Sequence, residues 1–96
     1  MEEKIRTHIL VSGRVQGVFY RKGVYQKAHE LGLKGWVHNL VDGKVEIVCE
    51  GNKEQIGKFI EWCKEGTPLA KIENCEVTYE EYTGEFEDFE IREFGF

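Results

Sequence analysis

Along this 96-residue chain the spacing of apolar residues switches between two and helical periods in an order that leaves few folds open. Ile5 to Ser12 reads as a strand, with Thr7, Ile9 and Val11 on one face and His8, Leu10 and Ser12 on the other. From about Tyr20 the spacing is helical: Val24, Ala28 and Leu31 fall at i, i+4 and i+7, and Gly32 suits a left-handed position past the end. Gly35 to Leu40 and Lys44 to Glu50 read as two short strands joined by Asp42-Gly43, a signal for a type I′ hairpin turn. In the first, Val37 and Asn39 share a face opposite Trp36 and His38. In the second, Val45, Ile47 and Cys49 face a core, and the side carrying Glu46, Val48 and Glu50 is expected to be largely wet. Asn52 and Gln55 have capping-box spacing, and Ile56, Phe59, Ile60 and Cys63 form one apolar stripe. A second helix is predicted from about Lys53 to Glu65, stopped by Gly66 and Pro68. Ile72, Cys75, Val77 and Tyr79 make a further strand whose parity changes near Asn74, which predicts a bulge. The polar run Glu81 to Asp88 reads as a loop, and Phe89 with Ile91 as a short closing strand.

Strand, helix, hairpin, helix, strand is the order of a ferredoxin-like α+β sandwich. That is a split βαβ (βαββαβ plus a short C-terminal strand) with two helices on one face of a mainly antiparallel sheet. The length suits one core, so residues 1–96 are expected to form a single domain; there is no linker, low-complexity tract or longer repeat. No apolar run approaches a membrane span, so no membrane partner is expected. Met1 to Thr7 has neither a signal-peptide core nor a transit composition, which points to the cytoplasm. Cys49, Cys63 and Cys75 are odd in number and lack a CxxC pair, so they read as reduced core residues and not as a disulfide or zinc framework. His8, His29 and His38 have no metal-ligand spacing, and the Gly51 to Lys58 stretch has the wrong spacing for a Walker A loop. Neither metal nor cofactor is expected.

Between the first strand and the first helix lies Gly13-Arg14-Val15-Gln16-Gly17-Val18-Phe19-Tyr20-Arg21. Two glycines four apart let the backbone curl so that several N–H groups point into one concavity. The helix N-terminus adds partial positive charge, and Arg14 and Arg21 bracket the turn with full charges. Spacing alone leaves open a surface turn whose arginines are merely solvated. Charge distribution favours an anion. The net charge of −5 argues against a general nucleic-acid binder, yet residues 1–44 carry eight Lys/Arg against four Asp/Glu, while residues 45–96 carry five against fourteen. The loop lies in the basic half.

The run GRVQGVFYR, followed by Gly32-Leu33-Lys34-Gly35-Trp36-Val37-His38-Asn39-Leu40 and Asp42-Gly43-Lys44-Val45-Glu46, closely resembles the acylphosphatase family. Weaker likeness continues through Gly66-Thr67-Pro68-Leu69-Ala70 and Asp88-Phe89-Glu90-Ile91. The resemblance implies the ferredoxin-like fold and a metal-independent hydrolase that splits the carboxyl–phosphate bond of small acyl phosphates, with inorganic phosphate as product and inhibitor. Arg21 matches the family's phosphate-binding arginine, and Asn39 falls on the asparagine that holds the attacking water. Arg14, Val15, Gln16, Gly17, Val18 and Phe19 would complete the phosphate site with Arg21, Arg14 standing where the family often has a basic residue. Tyr20 departs from the usual phenylalanine, so its hydroxyl needs a partner, and Val41 replaces a proline often found before the turn. A monomer is expected, and nothing outside the loop marks a pocket for the acyl group. A non-catalytic ferredoxin-like module that senses phosphate or another anion, or that binds RNA, would share the architecture. An RNA reader would want an aromatic–glycine pattern on its central strands, which Lys44 to Gly51 lacks.

Overall fold

A computed structural model describes residues 3–95. The elements follow the predicted order: β1 (Lys4–Arg14), α1 (Tyr20–Glu30), β2 (Lys34–Leu40), β3 (Val45–Asn52), α2 (Lys53–Glu65), β4 (Lys71–Glu80) and β5 (Phe89–Gly95). The strands lie in the order β4-β1-β3-β2-β5. Neighbours are antiparallel except β2 and β5, which run parallel. Each crossover, β1 to β2 and β3 to β4, skips one strand and carries a helix, and both helices pack on the same core. Period two decides which side chains meet them: Ile9 and Val11 of β1, Val37 of β2 and Val45, Ile47 and Cys49 of β3 are fully buried against Val24, Ala28, Ile56, Phe59 and Cys63. β5 adds Phe89, whose ring meets that of Phe59 edge-on at 6.2 Å between centroids.

The bulge lies where parity predicts it. β1 pairs Ser12 with Asn74 but Gly13 with Ile72, so Glu73 is the extra residue. Gly13, at φ 123, sits so close to β4 that a Cβ would lie 2.1 Å from the Lys71 carbonyl oxygen. This close approach bends the end of β1 where the chain leaves it for the loop.

Three local readings are corrected. The hairpin turn is not type I′, which needs positive φ at both central residues. Among the described non-glycine residues only Phe19 has positive φ, so Asp42 does not supply it. Instead Gly43 N–H donates to Leu40 O (3.2 Å), Gly43 takes φ 95, and Leu40 N–H donates to Lys44 O (2.8 Å), a three-residue loop. The capping box is half made: Asn52 Oδ1 accepts from Glu54 N–H at 2.8 Å, while Gln55 Oε1 is buried without a protein partner. The cap residue is still in the ladder opposite Lys4, where a closed box needs it free.

Nor is the far face of β3 largely wet. Glu50 is 3 % exposed, and its carboxylate accepts from Thr83 N–H (2.8 Å), Thr83 Oγ1 (2.8 Å) and Gly84 N–H (3.0 Å) and pairs with Arg6 (3.5 Å). The loop between β4 and β5 thus crosses the open face and supplies the donors that a buried carboxylate requires. Beside it, Glu46 is shared by two histidines, His8 Nε2 and His38 Nε2 each lying 2.6 Å from one of its oxygens. Burial alone would push the Glu46 carboxyl up; the hydrogen bonds and charge of His8 and His38 outweigh it and hold the group below its ordinary value. A carboxyl depressed on folding adds stability above its unfolded value and loses it as pH falls through the folded one. Urea midpoints measured downward from about pH 6 should therefore show the native protein ahead of Glu46→Gln at the upper end. The lead should vanish below the ordinary glutamate range.

All three cysteines are free. Burial pushes the Cys49 thiol up to about 12 and raises those of Cys63 and Cys75, so none is poised as a thiolate. Tyr20 resolves its departure from phenylalanine by donating its hydroxyl to Cys63 O at 2.8 Å. No helix among the described residues is long and apolar enough to cross a membrane.

Candidate active site

The loop between β1 and α1 is held from two sides by side chains that accept nothing from its N–H groups. Thr67 Oγ1, in the turn after α2, donates to Val18 O at 2.9 Å. On the other side Gln16 Nε2 donates to Leu40 O (2.7 Å) and Lys44 O (2.9 Å) at the base of the hairpin. Gly17 at φ 73 and Phe19 at φ 63 are both left-handed. For Phe19 that conformation costs about 1–2 kcal/mol, since its Cβ crowds the following carbonyl. Such alternation turns successive N–H groups toward a common point, the geometry of an anion nest. Among the described residues the N–H groups of Val15 to Phe19 have no protein acceptor.

The two helices open differently. α2 has its side-chain cap and an acid, Glu54, in the first turn; α1 has no side-chain cap and no acid there. A helix left so keeps its positive end for whatever lies beyond it. What lies beyond it is an open hollow of about 280 Å³ walled by Val15, Gly17, Phe19, Tyr20, Arg21, Lys22 and Ile91. Arg21, in the first turn of α1, donates one Nη1 hydrogen to Arg92 O of β5 at 3.0 Å, which leaves the rest of its donor fork for a ligand. Phe19 and Ile91, 69 % and 44 % exposed, give the mouth of the hollow an apolar rim.

Asn39 sits on β2 opposite Val45 of β3 and beside β5, on the core side as parity requires. It is 9 % exposed, and its Oδ1 is buried with no protein partner. An unpaired buried acceptor costs about 1–3 kcal/mol, so it calls for a water or ligand donor. Arg14 ends β1 exposed, paired in the ladder with Lys71, and like Gln16, Val18 and Asn39 it is not among the walls of the hollow. His38 is turned to the opposite face, onto Glu46 and against Trp36 in a tilted pair with ring centroids 4.4 Å apart. No group of three metal-ligating side chains is formed among the described residues.

Sequence reasoning missed the side-chain roles of Gln16 and Thr67 and the part of β5, which brings Ile91 and the Arg92 carbonyl to the loop. The Gly66-Thr67 turn and the parity of Phe89 and Ile91 were visible, but neither says what it touches.

The family model described as Acylphosphatase matches residues 7–91. An acylphosphatase of Methylococcus capsulatus is 50% identical over 86 residues, covering 90% of this chain and 94% of that protein. The acylphosphatase structure from Coxiella burnetii superposes with a TM-score of 0.87 at 42% identity, over 93% of each chain. The one from Bacillus subtilis gives 0.89 at 38% identity, over 92% of this chain and 98% of that one. Family model, sequence relatives and solved structures agree, over nearly the whole described sheet and both helices, that this chain belongs to the acylphosphatase family.

Proposed function

We propose that the chain hydrolyses the carboxyl–phosphate bond of small acyl phosphates, with the loop and Arg21 holding the phosphoryl group and Asn39 aiming the water. The observation that carries this is the pairing of an uncapped, acid-free helix start with Arg21 in the walls of one hollow. The nest and the guanidinium stabilise charge on the non-bridging oxygens, and the carboxamide oxygen of Asn39 accepts a hydrogen bond from water. Water attacks phosphorus, the bond from phosphorus to the carboxylate oxygen breaks, and its electron pair leaves with the carboxylate. Both water protons end on the phosphate. The backbone of Val15, Gln16, Gly17, Val18 and Phe19 does the holding; Arg14, exposed at the end of β1, adds only to the local field. The acyl substituent lies against the rim of Phe19 and Ile91, a surface that the sequence did not mark.

Residues 1–96 act as one monomeric domain on a small molecule, without nucleic acid, and three unpaired thiols suit a reducing cytoplasm. The non-catalytic sensing or RNA-binding reading is not favoured, since the relatives at 44–50% identity are named acylphosphatases.

The test is phosphate release from acetyl phosphate by native protein and Asn39→Ala. Expected is a fall in kcat of about 10²-fold with inhibition by inorganic phosphate shifted by less than about threefold. Equal losses in both would make Asn39 a phosphate ligand or a structural residue. Guanidinium and carboxamide groups do not titrate between about pH 5 and 8, so kcat should be flat there except toward the acid end, where the substrate's own ionisation adds slope, and unchanged by a strong chelator. A bell-shaped profile that disappears in His38→Ala would make histidine a general base.

A further inference from the structure

We propose that the Gln16 carboxamide is a positioning residue that fixes the distance between the phosphate nest and the water-holding Asn39. The two parts of the site come from different elements, the nest from the β1–α1 loop and Asn39 from β2, with all of α1 between them in the chain. Thr67 holds the loop toward the end of α2, away from β2. Among the described residues the direct hydrogen-bonded tie between the loop and the hairpin is Gln16, whose one Nε2 group donates at 2.7 Å to Leu40 O and at 2.9 Å to Lys44 O. Those carbonyls belong to the pair that closes the hairpin, joined by the Leu40 N–H to Lys44 O bond of 2.8 Å. Leu40 is one peptide bond from Asn39.

The chemistry of the tie is specific. Two carbonyl oxygens face one side-chain atom, so that atom must bring two hydrogens, which a primary amide does and a carboxylate or hydroxyl does not. Only one orientation of the carboxamide fits, since turning it would set oxygen against two oxygens. In-line displacement needs water, phosphorus and leaving oxygen aligned, and a shift of about 1 Å costs on the order of 10²-fold in rate. Binding of the phosphate itself needs only the nest and Arg21, which Gln16 does not complete with its side chain. Gln16 should therefore act on kcat through Asn39 and leave phosphate affinity nearly intact.

This inference rests on Asn39 holding the water, and a double-mutant cycle separates the two claims. Gln16→Ala and Gln16→Glu are made in the native and Asn39→Ala backgrounds. For each, kcat and KM for acetyl phosphate, inhibition by inorganic phosphate and the urea midpoint are measured. Expected is a fall in kcat of about tenfold or more for both Gln16 variants, the isosteric glutamate being no better than alanine, with phosphate inhibition moved less than about threefold. In the Asn39→Ala background, removing Gln16 should change kcat by less than about twofold, because the group it positions is already gone. Additive losses, or a lowered urea midpoint with kcat unchanged, would overturn the proposal and make Gln16 a structural clasp. An Asn39→Ala variant with native kcat would instead sink the water-holding role itself, whatever Gln16 does. Should Gln16→Ala fail to fold, Gln16→Met keeps the volume without the donors and replaces it in the cycle.

Discussion

Arg21→Ala is expected to lose phosphate release by about 10²–10³-fold and most of its inhibition by inorganic phosphate, the cost of about 2.7–4 kcal/mol that follows removal of one preorganised donor to a developing oxyanion. The anchoring of Arg21 sharpens what lysine can do in its place. The guanidinium spends one Nη1 hydrogen on Arg92 O and keeps a planar fork for the ligand. An ammonium at the end of a flexible stem can hold the carbonyl or meet the phosphate as a point charge, without the fork that does both in one plane. Arg21→Lys should therefore recover little of the lost kcat/KM. Native rates and native phosphate inhibition in Arg21→Ala would move the phosphate site away from this loop.

Gly13→Ala should cost about 4 kcal/mol or more of stability out of the 5–15 typical of a domain. The new methyl group would meet Lys71 O at 2.1 Å and Glu73 N at 2.8 Å, both backbone atoms of the bulged β4, and φ 123 is closed to side chains in any case. Gly17 makes the contrast. It also has positive φ, 73, yet a Cβ there meets nothing within 4 Å, so Gly17→Ala should cost only the left-handed penalty of about 1–2 kcal/mol. Urea unfolding followed by far-ultraviolet circular dichroism reads both. Similar midpoints for the two variants would show that β4 gives way at the bulge at little cost.

Period two and period 3.6 were enough to order the strands and helices, to place Val45, Ile47 and Cys49 toward the helices and to locate the bulge. They failed where one element covers another. Glu50 has the alternation of a solvent-facing carboxylate, and only the passage of Thr83 and Gly84 over that face buries it. Asp42-Gly43 reads the same in a two-residue and a three-residue turn, because the extra residue, Val41, carries no turn signature. In the candidate site, Arg21 and Asn39 were singled out because a long motif that resembles the family's carries them. The Gln16 and Thr67 contacts join residues 24 to 49 positions apart, and no local pattern encodes a partner at that range.

The carbonyl that holds Arg21 lies 71 positions further along the chain. A ribosome adding about 5–20 residues per second needs several seconds to reach it after adding the arginine. During that interval β5, which adds parallel to β2 at the edge of the sheet, does not yet exist, and neither does the carbonyl partner of Arg21. The tether of Arg21 is thus a late contact, made only after β5 has docked beside β2.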